Sequence, residues 1–393
     1  MKSTRIVNAN IVTEESVLSS GTIVFAEGRI VSISEAGQSD ASAVFDGETV
    51  DAAGGWVLPG FVDVHVHGGF GGDFMDASAE SIDTITRFHA GHGTTSMLAT
   101  TLTGPKEQLD AVLAVVSAYR SKEMPYAQVV GVHLEGPFIN LKWKGAQNPA
   151  YIIPPRKDWI EEWNAAYPGM IKQLSLAPET EGAIELIAWL RANGINAAAA
   201  HTDATYDQAL AAVDAGLNQA VHTFNAMTGL HHRAPGTVGA VLSDDRITAE
   251  IIADCIHVHP ACMRILTKVK TGHNLVMITD AMSAAGLEDG EYDLGGLGVN
   301  VKGGVAMLKE GNSLAGSTLT TIQGLRNLVQ RVGLSVPEAS ELASGNPARL
   351  LGIFDRTGSL AVGKQADILI VSAEELQLER AWAIGKEQEV FRA

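Results

Sequence analysis

The segment GFVDVHVHG, residues 60–68, ends an apolar run in two histidines that stand two positions apart. Alternate residues of a β-strand point to the same face, so the side chains of His65 and His67 are expected side by side at the C-terminal end of a strand. Two imidazoles in that position can hold a metal ion, but a histidine and a neighbour packed in a core would give the same pattern. The rest of the chain separates these two interpretations.

Apolar runs alternate with helical stretches from Gly55 onward, and this alternation predicts βα units and a parallel sheet. Two of the predicted helices are Glu181–Asn193, closed by Gly194, and one that begins at Thr205 with Gln208 at the capping-box spacing. The eight runs are Trp56–Val66, Thr94–Thr101, Gln128–Leu134, Gln173–Ala177, Ile195–Ala200, Asn218–Thr223, Thr248–Ala253 and Asn274–Thr279. Eight strands alternating with helices predict a (β/α)₈ barrel, or TIM barrel, an α/β fold whose catalytic groups lie at the C-terminal ends of the strands.

Both ends of the chain have a different pattern. Residues 1–54 read as short β segments without helices, and residues 358–371 return to β character. Because the termini of compact proteins often lie close together, we predict a small β-sandwich domain from residues 1–54 plus 346–393, with the barrel in residues 55–345. The glycine-rich residues 291–317 interrupt the alternation and predict a β excursion near the site.

The composition is that of a soluble globular protein, since 46% of the 393 residues are hydrophobic and 19% are charged. A formal net charge of −17 argues against nucleic acid or an anionic membrane as a partner, because both require a basic surface. It leaves room for a small anionic substrate in a locally basic pocket. The two cysteines, Cys255 and Cys262, cannot form a disulfide framework, and no long apolar segment of a targeting or membrane-spanning kind is present. We therefore expect a cytoplasmic protein.

The predicted strands end in residues that can bind metal. They are His65 and His67 after strand one, Glu135 after strand three, His201 after strand five, His222 after strand six and Asp280 after strand eight. A buried carboxylate is costly unless it is paired or bound to a metal, and two carboxylates together with four histidines at one end of a barrel are hard to explain by packing. Imidazoles and carboxylates without thiolates suit Zn²⁺, Fe²⁺, Co²⁺ or Mn²⁺. Six ligands are enough for two metal ions, with Glu135 as the natural bridge.

Four other histidines are expected to serve the structure. His89 and His92 lie in the helix after strand one and His273 precedes strand eight, so we expect these three to be surface or structural residues. His133 stands two residues before Glu135 on the same face of its strand, and we expect it to lie deeper in the core, beneath the ligands.

The sequence resembles the amidohydrolase superfamily and, within it, the N-acetylglucosamine-6-phosphate deacetylase family over nearly its whole length. The motifs that carry the resemblance are PGFVDVHVHGG (59–69), HLEGPF (133–138), AHTD (200–203), HTFNAM (222–227), HHRAPG (231–236), TD (279–280) and GNPA (345–348). The His-x-His pair and the aspartate of strand eight mark the superfamily. The LEGP, FNAM and HRxPG blocks are more specific to the deacetylases.

The resemblance assigns roles to the metal ligands. It implies that Glu135, His201 and His222 hold the metal found throughout the family, and that His65 and His67 complete a second site that some members lack. The chain would then belong with the potentially binuclear members, binding one or two divalent metal ions.

The resemblance also implies the substrate contacts. Arg233 would bind the phosphate, because a planar guanidinium matches phosphate geometry. Asn225 and the backbone N–H of Ala226 correspond to other phosphate contacts, and His257 to a sugar or phosphate contact. In this family a basic loop residue can reach the neighbouring subunit's site, which implies a homodimer. Gln147 replaces a histidine that some members carry, and its amide can donate a hydrogen bond to the acyl oxygen without carrying charge.

The expected activity is removal of the N-acetyl group of N-acetyl-D-glucosamine 6-phosphate, giving D-glucosamine 6-phosphate and acetate in amino sugar catabolism or recycling. Asp280 would be the general base toward water and would return the proton to the leaving amine. The nearest alternative is the galactosamine epimer, and a more distant one is hydrolysis of a cyclic amide or an N-acyl amino acid. A non-catalytic barrel would be expected to have degenerate ligands, whereas this chain has all six.

Overall fold

The computed structural model describes residues 3–35 and 45–391. The parts of the predicted small domain in residues 1–2, 36–44 and 392–393 lie outside the described residues. The described chain contains two large sheets, one formed by both ends of the chain and one that forms a barrel.

The strands vary from two to ten residues in length. In chain order they are β1 (Ser3–Val12), β2 (Val17–Ala26), β3 (Arg29–Ser34), β4 (Gly47–Asp51), β5 (Trp56–Pro59), β6 (Phe61–Asp63), β7 (Gly68–Gly69), β8 (Gly72–Asp73), β9 (Thr94–Thr100), β10 (Gln128–Glu135), β11 (Ile171–Leu176), β12 (Asn196–Ala199), β13 (Gln219–Ala220), β14 (Thr248–Ile252), β15 (Leu275–Ile278), β16 (Gly290–Leu294), β17 (Leu297–Lys302), β18 (Val305–Leu308), β19 (Ile368–Val371), β20 (Leu378–Ala383) and β21 (Lys386–Gln388).

The α-helices are α1 (Ala79–Ala90), α2 (Lys106–Arg120), α3 (Lys157–Ala166), α4 (Ala183–Ala192), α5 (Tyr206–Ala215), α6 (Gly236–Ser243), α7 (Pro260–Val269), α8 (Thr321–Asn327), α9 (Val336–Ser340) and α10 (Asn346–Leu350). The predicted capping box is confirmed, because Thr205 accepts from the backbone N–H of Gln208 at the start of α5 and the Gln208 side chain accepts in return. The predicted helix 181–193 is observed as α4, which is shorter at both ends. Along the described chain, no helix has both the length and the apolar character needed to cross a membrane.

Eight strands form the barrel, in the order β6, β9, β10, β11, β12, β13, β14 and β15, each parallel to the next. Backbone hydrogen bonds just beyond β6 and β15 bring the first and last strands together. The N–H of Asp280 donates to the carbonyl of His65 at 2.9 Å, and the N–H of His67 donates to the carbonyl of Ala281 at 2.9 Å. The predicted (β/α)₈ barrel is confirmed, and its closing seam lies between the His-x-His pair and Asp280.

The second large sheet is formed by both ends of the chain, as predicted. Its strand order is β21, β20, β19, β5, β1, β2 and β3, with β4 paired to β1. The sheet curls around its own apolar core, since Phe25 on β2 and Trp382 on β20 are separated by three strands yet have ring centroids 5.6 Å apart. We call this the terminal sheet.

The predicted first strand, Trp56–Val66, is wrong as a single strand. The chain pairs with β1 and β19 in the terminal sheet over β5 and then enters the barrel at β6, so the two segments belong to different sheets. Gly60 lies at the change of sheet, where a Cβ atom would be 2.2 Å from Oγ1 of Thr95. The absence of a side chain permits this close approach of the two segments.

Two segments lie across the predicted domain boundaries at residues 55 and 346. Trp56–Pro59 is part of the terminal sheet, and α10 packs against β6 and β15 of the barrel. The glycine-rich residues form an antiparallel three-stranded sheet of β16, β17 and β18, which confirms the predicted β excursion.

Candidate active site

The six predicted metal ligands lie together at the C-terminal ends of the barrel strands, and all six are buried. His65 and His67 follow β6, Glu135 ends β10, His201 follows β12, His222 follows β13 and Asp280 follows β15. Three of them have left-handed backbone conformations, with φ of 45° at His201, 31° at His222 and 52° at Asp280. Such conformations are strained outside glycine and cluster at functional sites, so the local backbone is consistent with a site at this rim.

The six side chains form two groups of three. In the Glu135 group (Glu135, His201 and His222), Oε1 of Glu135 lies 3.3 Å from Nε2 of His201 and 3.1 Å from Nε2 of His222. In the His65 group (His65, His67 and Asp280), Oδ1 of Asp280 lies 3.5 Å from Nε2 of His65 and 3.2 Å from Nε2 of His67.

Glu135 faces both groups. Its Oε2 lies 3.4 Å from Nε2 of His67, and its Oε1 lies 3.5 Å from Nε2 of His65. Since one carboxylate contacts the histidines of both groups, Glu135 has the position required of a bridging ligand.

In the Glu135 group, the hydrogen bonds of the two Nδ1 atoms determine which ring nitrogen carries the proton. Nδ1 of His201 lies 2.9 Å from the carbonyl oxygen of Trp143, and Nδ1 of His222 lies 3.2 Å from that of Asn225. A carbonyl can only accept, so Nδ1 is the protonated nitrogen in both rings. In the neutral rings both Nε2 lone pairs therefore face a carboxylate oxygen, an arrangement that a cation stabilises.

His65 is oriented in the same way by a side chain. Its Nδ1 lies 2.9 Å from Oε2 of the buried Glu250, and its Nε2 has no hydrogen-bond partner within residues 3–35 and 45–391. The donor set in both groups thus fits a divalent metal ion bound by imidazoles and carboxylates.

The charges in the cluster act strongly on each other. Burial lowers the pKa of His67, but hydrogen bonds and charges from Asp280 and Glu135 outweigh it and raise this pKa to about 9. Burial also lowers the pKa of His65, but the negative charges of Asp280, Glu135 and Glu250 outweigh it. The pKa of His65 therefore lies well above its usual value. Conversely, burial raises the pKa of Glu135, but the histidines outweigh it and hold this pKa well below its usual value. The site therefore favours bound positive charge.

Five of the six predicted ligands, all except the fully buried His65, line a cavity of about 380 Å³ at the barrel mouth. Four of the five predicted substrate-binding residues also line it: Gln147, Asn225, Ala226 and His257. The fifth, Arg233, is exposed outside the cavity of this single chain, and its Nη1 lies 2.8 Å from Nε2 of His232. The β excursion contributes to the lining through Leu294 and residues 312–314, so it lies near the site as predicted.

Gln147 differs from its expected arrangement. Its Nε2 donates to Oε2 of Glu135 at 2.6 Å, and its Oε1 accepts from the backbone N–H of Thr103 at 2.8 Å. Both ends of the amide are therefore held by the protein. In this structure the side chain holds the carboxylate of Glu135 in position, in addition to lining the cavity.

Several residues at the site were not identified from the sequence. They are Glu250, Asp254, Lys142 and Trp143. Oδ2 of Asp254 lies 2.6 Å from Nδ1 of His257. Oδ1 of Asp254 accepts a hydrogen bond from the backbone N–H of His257 at 2.8 Å. Burial lowers the pKa of His257, but the hydrogen bond to Asp254 and the charge of that carboxylate raise it above its usual value.

The histidines expected to be structural are not in either group. His133 is buried beside His65, with ring centroids 4.6 Å apart, as expected of a core residue below the ligands. His89 is fully buried rather than at the surface, and its Nε2 lies 2.9 Å from the carbonyl oxygen of Gly68. Burial lowers the pKa of His89 to about 4, so this ring is a neutral structural residue.

Known proteins similar to this chain show the family to which it belongs. The amidohydrolase family model matches residues 56–390. The chain is 38% identical to the N-acetylglucosamine-6-phosphate deacetylase of Bacillus subtilis (strain 168), covering 93% of this chain and 92% of the relative. It is 39% identical to the N-acetylgalactosamine-6-phosphate deacetylase of Escherichia coli O157:H7, covering 84% of this chain and 87% of the relative.

A solved structure is similar over the whole chain. It is a mutant N-acetyl-D-glucosamine-6-phosphate deacetylase from Mycobacterium smegmatis in complex with N-acetyl-D-glucosamine-6-phosphate. It has a TM-score of 0.92 and 33% identity, with complete coverage of both chains. The barrel and these matches together show that the chain belongs to the amidohydrolase family.

Proposed function

We propose that this chain is a metal-dependent deacetylase that hydrolyses N-acetyl-D-glucosamine 6-phosphate to D-glucosamine 6-phosphate and acetate, in amino sugar catabolism or recycling. The observation that carries the proposal is the convergence of the Glu135 and His65 groups on one cavity, in a chain with 38% identity to a deacetylase of this substrate. The reaction adds water across the amide, so that the acyl carbon gains oxygen and the amine leaves with a proton.

Two sets of side chains would hold divalent cations. Glu135, His201 and His222 form the first site, and His65, His67 and Asp280 form the second, with Glu135 facing both. The ligand types suit Zn²⁺ or Fe²⁺, and also Co²⁺ or Mn²⁺. When bound, such a cation polarises the acyl carbonyl and lowers the pKa of water.

Asp280 is the group placed to move protons. It lines the cavity, and its Oδ1 is 3.2 Å from Nε2 of His67. Burial raises the pKa of Asp280, but the charges and hydrogen bonds of His65 and His67 outweigh it and lower this pKa, which keeps the carboxylate ionised. An ionised carboxylate takes a proton from the attacking water and then gives it to the amine nitrogen as the C–N bond breaks.

The substrate is held by polar groups around the same cavity. Asn225, the backbone N–H of Ala226 and His257 are assigned to the phosphorylated sugar, and Gln147 to positioning near the acyl group. Arg233 is exposed on a loop outside the cavity of its own chain. It would bind the phosphate of a substrate in the active site of a partner subunit. The active form is therefore proposed to be a homodimer, located in the cytoplasm.

The second candidate is deacetylation of N-acetyl-D-galactosamine 6-phosphate. It is favoured by one specific observation, the 39% identity to a deacetylase named for that substrate. The two sugars differ only in the configuration at one hydroxyl group, so the same metal ligands and proton-transfer group serve both.

Acetate release measured with three substrates tests the proposal. N-acetylglucosamine 6-phosphate, its galactosamine epimer and unphosphorylated N-acetylglucosamine are compared at equal concentrations with zinc-loaded enzyme. We expect the highest kcat/KM with the first and a large loss without the phosphate. A higher kcat/KM with the epimer would establish the second candidate, and no acetate from either phosphorylated sugar by folded, metal-loaded protein would refute both.

A further inference from the structure

Glu250 is a fully buried carboxylate in the middle of β14, beneath the ligands of the rim. Its Oε1 lies 2.9 Å from Nε2 of Gln173 and 2.5 Å from Nε2 of Gln219, and its Oε2 lies 2.9 Å from Nδ1 of His65. In the part of the chain that the structure describes, neither lysine nor arginine forms an ion pair with Glu250. A carboxylate this deeply buried is costly unless another charge compensates it.

The contacts of Glu250 determine the orientation of His65. The two glutamine amides donate to one carboxylate oxygen. The other oxygen accepts from Nδ1–H of His65 at 2.9 Å and, at a longer 3.4 Å, from the backbone N–H of His222, whose ring is held instead by the carbonyl of Asn225. The lone pair of Nε2 of His65 then points toward Oε1 of Glu135 and Oδ1 of Asp280, each 3.5 Å away. A ring oriented by a carboxylate in this way is the usual arrangement behind a metal-bound histidine.

The other histidine of the His65 group has no such support. Nδ1 of His67 is buried and, within the described ranges 3–35 and 45–391, has no hydrogen-bond partner. In the Glu135 group, by contrast, both histidines are oriented by backbone carbonyls. The side chain of Glu250 is therefore the support on which the orientation of the His65 group depends.

Charge gives Glu250 a second effect on the same group. Two divalent cations carry four positive charges, whereas Glu135 and Asp280 together carry two negative charges. A third carboxylate hydrogen-bonded to His65 offsets part of the repulsion between the cations without occupying a coordination position.

We propose that Glu250 is a positioning residue that determines whether the His65 group binds a divalent cation, while the Glu135 group binds its cation independently of it. This inference rests on the proposed function, because it concerns the ligands assigned there. It adds a residue that touches neither the substrate nor the cations and acts through His65.

Cobalt titration of the chelated full-length protein tests the inference, with binding followed by calorimetry and by the visible absorption of Co²⁺. We expect the wild-type chain to bind two cations. Glu250→Gln is expected to bind the first with unchanged affinity and the second about 10- to 100-fold more weakly. Glu250→Asp keeps the charge on a shorter side chain. Its affinity for the second cation is expected to lie between those of the wild type and Glu250→Gln.

A matched control is Asp367→Asn, which also replaces a buried carboxylate by its amide. Asp367 lies outside both groups, where it accepts from Oγ1 of Thr357 at 2.6 Å and from the N–H of Ile384 at 2.7 Å. It is expected to leave both Co²⁺ affinities unchanged.

Three results would overturn the inference: wild-type affinity for both cations in Glu250→Gln, equal weakening of both, or a wild-type chain that binds one cation. Acetate release by the same wild-type sample is measured alongside. In one outcome the wild-type chain releases no acetate but binds two Co²⁺ ions, and Glu250→Gln selectively weakens binding of the second. In that case the proposed function fails and the inference stands.

Discussion

The two groups of ligands lie on one rim but are held in place by different parts of the chain. His201 and His222 of the Glu135 group are hydrogen-bonded to the backbone carbonyls of Trp143 and Asn225. His65 is hydrogen-bonded to a side chain, that of Glu250, and the remaining nitrogen of His67 is unpartnered among the described residues.

This difference has consequences for how each group responds to substitution. A backbone carbonyl is present whatever side chain the residue carries, so the orientation of His201 and His222 should tolerate changes around them. The His65 group depends on the identity of individual side chains and should be easier to lose. Five substitutions test this comparison.

Replacing the carboxylate shared by both groups should have the largest effect. Glu135→Gln removes the charge that faces all four histidines. We expect both cations to be lost and acetate release to fall by more than about 10⁴-fold, because carbonyl polarisation and the activation of water are lost together. Metal content by mass spectrometry and acetate release are measured, with Asp367→Asn as the control. Full metal content in Glu135→Gln would show that Glu135 is not a ligand.

Replacing Asp280 should separate proton transfer from metal binding at the Glu135 group. Asp280→Asn is expected to lower kcat by about 10²- to 10⁴-fold, the usual contribution of a general base. The cation of the Glu135 group should remain bound, since its ligands do not include Asp280. The measurement is kcat with metal content on the same sample. A kcat within threefold of wild type would exclude Asp280 as the general base.

Gln147 tests whether the bridging carboxylate needs side-chain support. Gln147→Leu removes the hydrogen bonds to Oε2 of Glu135 and to the N–H of Thr103. We expect a loss of about 10- to 100-fold in metal affinity or in acetate release, as for other residues that orient ligands. Gln323→Leu, on α8 outside the cavity lining, is the matched control. Equal metal affinity and activity in Gln147→Leu and wild type would leave Gln147 without a role at Glu135.

Asp254 extends the comparison to a substrate contact that is held by a side chain. Because Asp254 raises the pKa of His257, the ring keeps its positive charge to higher pH than an ordinary histidine. In Asp254→Asn the carboxylate that stabilises this charge is lost, so the His257 ring becomes neutral at a lower pH. KM for the phosphorylated sugar should therefore begin to rise at a lower pH than in the wild type. We expect KM about three- to tenfold above wild type at pH values where the wild-type ring is still charged and that of Asp254→Asn is neutral, with little change in kcat. Superimposable profiles of KM against pH for the variant and wild type would contradict this role.

The smallest effect is expected where only the backbone supports a ligand. In Trp143→Phe the carbonyl that accepts from His201 is retained, while the indole N–H bond to Asp203 is lost. Metal affinity should change by less than about threefold, in contrast with Glu250→Gln. Trp163→Phe, which loses a similar indole bond to Asp110, serves as the control. A tenfold loss of metal in Trp143→Phe alone would remove the distinction between the two groups.

The ligands could be predicted from the sequence because each follows an apolar run. The C-terminal ends of parallel strands meet at one rim, so the positions of His65, Glu135, His201 and Asp280 already implied that they converge. The same periodicity misplaced Trp56–Val66, since an apolar run does not show that the chain changes sheets at Gly60. That change depends on contacts with Thr95 and with distant strands.

The residues that hold the site's side chains in position were harder to predict. Gln173 and Glu250 lie in the middle of their strands and Gln219 begins the two-residue β13, so none of the three follows the C-terminal end of a strand, where ligands are expected. Their polar side chains are visible in the sequence, but which residue each contacts depends on the register of neighbouring strands. Gln147 and Asp254 lie in loops, where no periodicity determines the direction of a side chain.

The central claim is that these six side chains bind the metal on which deacetylation depends, and one measurement tests it directly. Acetate release from N-acetylglucosamine 6-phosphate is followed in protein as isolated, after chelation, and after reloading with Zn²⁺, Fe²⁺, Co²⁺ or Mn²⁺. We predict that activity falls on chelation and returns with at least one of these cations. Unchanged activity in protein shown to be free of metal would contradict the claim.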